Sequence, residues 1–311
     1  MIKIGGRIQT NKDNINLCNS LKVNKLRYVA GLAFVSMIWG ATFPLVKESL
    51  KYITPMGFIS LRFFIASSIL LAFYFRNISK NRQVVKASLL LGFFLFLGYA
   101  FQTVGLRYTT SSNAGFITGL YVVFTPIFSY FLVGERITKR IGFALVVSVT
   151  GLYFLSGATG FNFGDALELL CAIAYGIHVA LIGKFTRDFD SPTLTILQLF
   201  FVFLFSSFFW GADGFYMEYS PVMIFGVIFT GIFASAMGIL IQVRAQRYIS
   251  PSRAAIIFTT EPVFAGIFSY IFLGEGMSLT GLVGAILILS AMLLSAFEGE
   301  NQESSWLCPG E

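Results

Sequence analysis

Ten stretches of about twenty mostly apolar residues follow one another along the chain, at 28–46, 54–75, 86–106, 113–133, 139–157, 164–184, 192–212, 221–243, 252–273 and 278–297. About twenty residues in an α-helix cross the hydrocarbon core of a bilayer. Only helices and closed barrels satisfy their own backbone there. Most of the intervening loops are shorter than ten residues, which leaves no room for a soluble domain. Pro55, Pro192, Pro221 and Pro251 each follow Thr or Ser at the start of a stretch, where a first helical turn tolerates proline. Composition agrees. Of 311 residues, 56% are hydrophobic and 12% charged, against about a quarter charged in soluble domains. A soluble enzyme, a disordered chain and a secreted disulfide scaffold are excluded.

The net charge of +7 would suggest nucleic acid in a soluble protein. Here the cations must lie in loops, where they report orientation. With the N-terminus inside, 18 of the 22 Lys and Arg fall on the inner side; Lys47, Lys51 and Arg107 are outside, and Arg62 is within a span. The positive-inside rule then places both termini in the cytoplasm of a plasma membrane, with a bacterial inner membrane as the expected one. No nucleic-acid partner is expected; the lipid bilayer is. The polar, basic residues 1–27 lack an apolar core ahead of a cleavage site, so the first span is read as a retained signal anchor. Residues 298–311 form a polar tail. The cysteines, Cys18, Cys171 and Cys308, are widely spaced, and His178 is the single histidine. No disulfide framework, metal site or cofactor is expected.

The chain repeats itself. Phe128-Ser-Tyr-Phe-Leu-Val-Gly-Glu135 returns as Phe268-Ser-Tyr-Ile-Phe-Leu-Gly-Glu275, and residues 98–135 share 15 identities in 38 positions with the segment 140 residues on. Earlier positions match less closely, through Gly40 with Gly176 and, after a slip, Pro55 with Pro192. Residues 28–157 thus correspond to 164–297, five spans each. Five is odd, so the second half enters the membrane from the opposite face. The expected fold is an all-α polytopic membrane protein of ten transmembrane helices in two inverted five-helix repeats. Inverted repeats that share a midplane site are an architecture of secondary transporters.

The order of short motifs strengthens that expectation. Trp39-Gly40-Ala41-Thr42-Phe43-Pro44, Leu61-Arg62-Phe63, Pro126 with Gly134-Glu135, and Glu261-Pro262-Val263 with Gly274-Glu275 resemble the EamA type of the drug/metabolite transporter superfamily over residues 28–297. The resemblance implies two inverted five-helix units and transport of small metabolites, often efflux of amino acids or related compounds.

Ionisable groups inside spans are costly and are functional candidates. Glu261 lies about ten residues into the ninth span, between Thr260 and Pro262, and could bind a cationic group or take up a proton. It could equally be a structural carboxyl paired with Arg62. Arg62 is expected to pack the bundle by bonding to carbonyls or to Glu261. His178 is either a hydrogen-bonded core residue or a proton carrier. Glu168 is expected to meet water at the outer end of the sixth span. Gln102 and Gln242, equivalent in the two halves, should face inward, as opposite walls of one cavity or as ties between helices. Trp39, Thr42, Tyr99, Asn113, Thr118, Tyr121 and Tyr175 add aromatic faces and polar groups suited to a small-molecule substrate. Pro44 and Pro126 are candidate hinge points.

No GxxxxGK[ST] phosphate loop and no nucleophile–base motif occur, so neither ATP hydrolysis nor enzyme activity is expected. The sequence reading is a non-ATP carrier working by alternating access, exporting an amino acid or related compound with a coupling proton. A receptor or assembly factor that does not transport, and an importer of the same solutes, stay open at this point.

Overall fold

A computed structural model describes residues 25–79, 81–156, 162–212, 214–273 and 279–296. The two tails and the Gly274-Glu275 motif lie outside these residues. The one isolated β-bridge among the described residues pairs Ile53 with Met217, and most of the described chain is helical. Its helices are α1 (Lys25–Ser49), α2 (Pro55–Tyr74), α3 (Arg82–Gly105), α4 (Ser111–Gly119), α5 (Tyr121–Val133), α6 (Lys139–Ser156), α7 (Phe163–Phe185), α8 (Ser191–Ala212), α9 (Pro221–Phe229), α10 (Gly238–Ala245), α11 (Pro251–Phe258), α12 (Thr260–Leu273) and α13 (Leu279–Ala296). A π-helical stretch, Thr230–Met237, joins α9 to α10. Among the described residues, eight segments are long and apolar enough to cross a membrane, and Leu279–Leu294 is a shorter apolar helix. The molecule is therefore a multi-pass membrane protein.

Local sequence explains the helix ends. Thr54 caps α2 by accepting from the Gly57 N–H, and Pro55 occupies the first turn. Asn162 and Asp165 form a reciprocal capping box on α7. Gly134 ends α5 in the left-handed region at φ 68°, which favours glycine. Glu135, next to it, is buried, and its Oε2 accepts from the Ser252 N–H in the first turn of α11 at 3.3 Å. Burial pushes the Glu135 carboxyl above its ordinary range, against the hydrogen bond from the Ser252 N–H. One copy of the repeated Gly-Glu motif thus holds a helix of the other half.

Two helices are broken in mid-course. The fourth span divides at Leu120 and the ninth at Thr259. At the second break, the Thr259 and Thr260 hydroxyls donate to the carbonyls of Ile256 and Ile257. Pro262 lies in the first turn of α12, just after the break, where a missing N–H costs least. Pro44 and Pro126 lie inside α1 and α5.

Large apolar side chains such as Phe73, Phe131 and Phe208 point outward from the bundle, which suits lipid rather than water. Inside, packing between the halves is reciprocal. Helix α1 packs on α12 and α10, and α7 on α5 and α3; α2 pairs with α8, and α6 with α13. A Cβ on Gly40 would fall 2.7 Å from the Phe264 Cβ, and a Cβ on Gly176 would fall 2.7 Å from the Phe124 Cβ. Phe124 and Phe264 are themselves 140 residues apart. Glycine allows α1 and α7 to touch the broken helices at equivalent points. Gly40→Val and Gly176→Val should each lower stability by about 1–3 kcal/mol through overpacking, measured by chemical unfolding in micelles.

Candidate functional site

The two broken helices, together with α1, α2, α3, α7 and α10, surround a cavity lined by Trp39, Thr42, Arg62, Leu95, Tyr99, Gln102, Tyr121, Tyr175, His178, Val179, Ile239, Gln242, Phe258 and Glu261. It is tight. About 40 Å³ is open to the centres of water-sized molecules, room for only a few waters where one needs roughly 10–15 Å³.

Aromatic rings form much of the wall. Tyr175 stands edge-on to Tyr99 and Tyr121, with centroids 5.6 and 6.4 Å apart, and Phe258 lies 5.1 Å from Trp39. Trp39 is fixed by its indole N–H, which donates to the Ala234 carbonyl at 2.8 Å. That carbonyl belongs to the π-helical stretch, a kind of distortion frequent at functional sites.

Arg62 supplies the positive charge. Its Nε donates to Ser235 Oγ at 2.6 Å and an Nη to the Tyr99 hydroxyl at 3.1 Å, and the guanidinium lies 4.5 Å from the Tyr99 ring centroid. Its partners are thus hydroxyls and a ring, and the expected carbonyl bonds are not what holds it. Glu261 is buried on the far helix, within reach of the Arg62 charge. No ion pair within 4.0 Å joins the two described side chains, so neither is tied to the other.

His178 is buried and bonds through Nε2 to Gln198 Oε1 at 2.8 Å, with α8 supplying the partner. Gln102 and Gln242 both sit at the cavity, and each is tied to neighbours. Gln242 Nε2 donates to Gln246 Oε1 at 3.1 Å, and Gln246 in turn donates to the Val179 carbonyl. Gln102 makes long contacts of 3.5 Å with Thr118 Oγ1 and the Tyr175 hydroxyl.

Two candidates stand apart from the wall. The Thr260 hydroxyl is spent on the helix break, and Thr118 donates to Glu168 Oε2 at 2.8 Å. The Asn113 side chain lies outside the described residues. One expectation is corrected. Glu168 does not meet water; it is fully buried, because α3 and α4 cover it at Gly105 and Thr118. Sequence reasoning missed Ser235, Gln198, Leu95, Val179, Ile239 and Phe258. The first could have been suspected as a hydroxyl in an apolar span; the apolar wall residues carry no signal that separates them from lipid-facing neighbours.

Ser235→Ala would remove the shorter of the two bonds to the Arg62 cation. A loss of about 1.5–3 kcal/mol is expected, the usual worth of a hydrogen bond to a charged group, again by unfolding in micelles.

These helices form a multi-pass bundle with an internal cavity of aromatic and ionisable side chains. The chain belongs to the EamA-like transporter family, whose model matches twice, over residues 27–157 and 162–297. An uncharacterized transporter of Archaeoglobus fulgidus is 38% identical over 272 residues, covering 88% of this chain and 86% of that protein. The uncharacterized transporter YvbV of Bacillus subtilis is 27% identical, with 90% and 95% covered. A crystal structure of another protein matches with a TM-score of 0.70 at 18% identity, over 85% of this chain and 94% of that one. At that identity the likeness concerns the fold alone.

Proposed function

We propose that the protein is a secondary transporter that alternates access by rocking two inverted five-helix halves about the central cavity. It exports an amino acid or related small metabolite in exchange for protons, with both termini in the cytoplasm of a bacterial plasma membrane. The observation that carries this reading is the pairing of cavity positions across the repeat. Trp39 and Tyr175, Thr42 and His178, Gln102 and Gln242, and Tyr121 and Glu261 are equivalent in the two halves and all line one cavity. A site built equally from both halves can exchange inward- and outward-facing forms of similar energy. The cavity's small volume supports motion as well, since a metabolite enters only if the helices part.

Arg62 and Glu261 support the substrate class. An opposed guanidinium and carboxylate, with apolar and aromatic walls between, suit a zwitterion with an apolar side chain. Glu261 is the candidate for carrying the coupling proton.

Purified protein in proteoliposomes should move amino acids from a broad panel in both directions across an imposed pH difference. Absence of flux for every panel member, with correct insertion, would count against the reading. Glu261→Gln should abolish proton-driven flux while its unfolding temperature stays near that of the native chain. Failure of that variant to fold would assign Glu261 to structure instead.

A further inference from the structure

Glu168 has no place in the cavity wall, yet it is more completely buried than Glu261, the carboxyl of the cavity. It stands in the second turn of α7 with 0% of its surface exposed. Oε2 accepts from Thr118 Oγ1 at 2.8 Å. Oε1 is buried without a hydrogen-bond partner and lies against α3, where a Cβ on Gly105 would be 2.8 Å away.

Its surroundings offer no counter-charge. On its own helix are Asp165, one turn earlier, and Cys171, one turn later; across the cavity is Glu261 of α12. From α3 it meets Gly105 and from α4 Thr118, neither charged. The ionisable groups that reach it are thus acidic or thiol. Asp165 is already engaged, accepting from Thr109 Oγ1 at 2.6 Å and from the Asn162 N–H at 2.9 Å. Glu168 is not. A carboxylate buried among acids with one hydrogen bond is unfavourable, and taking up a proton removes the charge.

Thr118 links this carboxyl to the cavity. Its single hydroxyl proton goes to Glu168, while its oxygen lies 3.5 Å from the Nε2 of Gln102, a cavity residue. When hydronium gives up a proton to Oε2, one of its O–H bonds breaks and leaves water, and Glu168 becomes the donor in that contact. The Thr118 hydroxyl proton is then free to turn toward Gln102, whose amide must present its oxygen instead of its nitrogen. No bond other than the new O–H forms.

We propose that Glu168 is a second proton-binding site of the carrier, separate from Glu261, whose protonation is relayed to the cavity through Thr118 and Gln102. The relay to transport rests on the proton-coupled reading above; the proton site itself does not.

Infrared difference spectra of the full chain in lipid vesicles, between acid and alkaline buffer, test the site without any substrate. A protonated-carboxyl band should be present, vanish in Glu168→Gln and persist in Glu261→Gln. Thr118→Val keeps the carboxyl and should shift the band by removing its partner. A band unaffected by Glu168→Gln overturns the proposal. So does loss of the band on adding sodium at constant pH, which would make this a sodium site. In proteoliposomes, Glu168→Gln should keep amino-acid counterflow at equal pH but lose accumulation driven by a pH difference. PH-driven accumulation equal to the native level would overturn the relay. If the native chain moves no amino acid while the band behaves as expected, the transport reading fails and the proton site stands.

Discussion

Within hydrocarbon no water completes a hydrogen bond, so every charge and every helix break must be satisfied by the bundle itself. The architecture around the cavity follows from that demand. Arg62 survives in the second span because Ser235 and Tyr99 come from two other spans to meet it. The break at Thr259 survives because two threonine hydroxyls take up carbonyls of the preceding turn. The π-helical stretch supplies Ala234 O to Trp39 and Ser235 Oγ to Arg62, so one distortion anchors both the cation and the largest ring of the wall.

Such polar groups require close helix contact, and glycine provides it. Gly40 and Gly176 bring α1 and α7 against equivalent points of the two broken spans, and Gly98 and Gly238 receive the Tyr175 ring and the Trp39 indole. Geometry is thus shared between the halves while chemistry is not. The position that is Tyr121 in one half is Glu261 in the other, and Thr42 answers His178. A near-symmetric frame with unlike side chains suits the proposed carrier, whose two states would resemble each other while its ligand has distinct ends.

Much of this was legible in residue order. Helix positions follow from apolar length, their starts from Ser and Thr ahead of Pro, and the inward direction of Gln102, Gln242, Tyr99 and Glu261 from the cost of polar groups in lipid. Other features were not. Glu168 lies near a predicted span end, where depth suggested water; burial there depends on whether α3 and α4 cover that side, which a helical period does not reveal. Thr118 and Thr260 read as cavity hydroxyls, but each is consumed by a nearer acceptor. Leu95, Val179, Ile239 and Phe258 are indistinguishable in sequence from lipid-facing neighbours, because membrane helices are apolar on all sides.

By itself the sequence determined a multi-pass helical chain, built twice over from one unit, with a few ionisable groups held in its interior. Those properties are local or periodic: apolar run length, turn chemistry and self-similarity. Only the tertiary structure decided which polar groups meet. The Arg62 cation goes to Ser235 rather than to Glu261, Gln198 is the partner of His178, and Glu168 is sealed beneath Gly105. Each is a contact between helices distant in sequence, set by which faces pack and how closely, and no single helix encodes it.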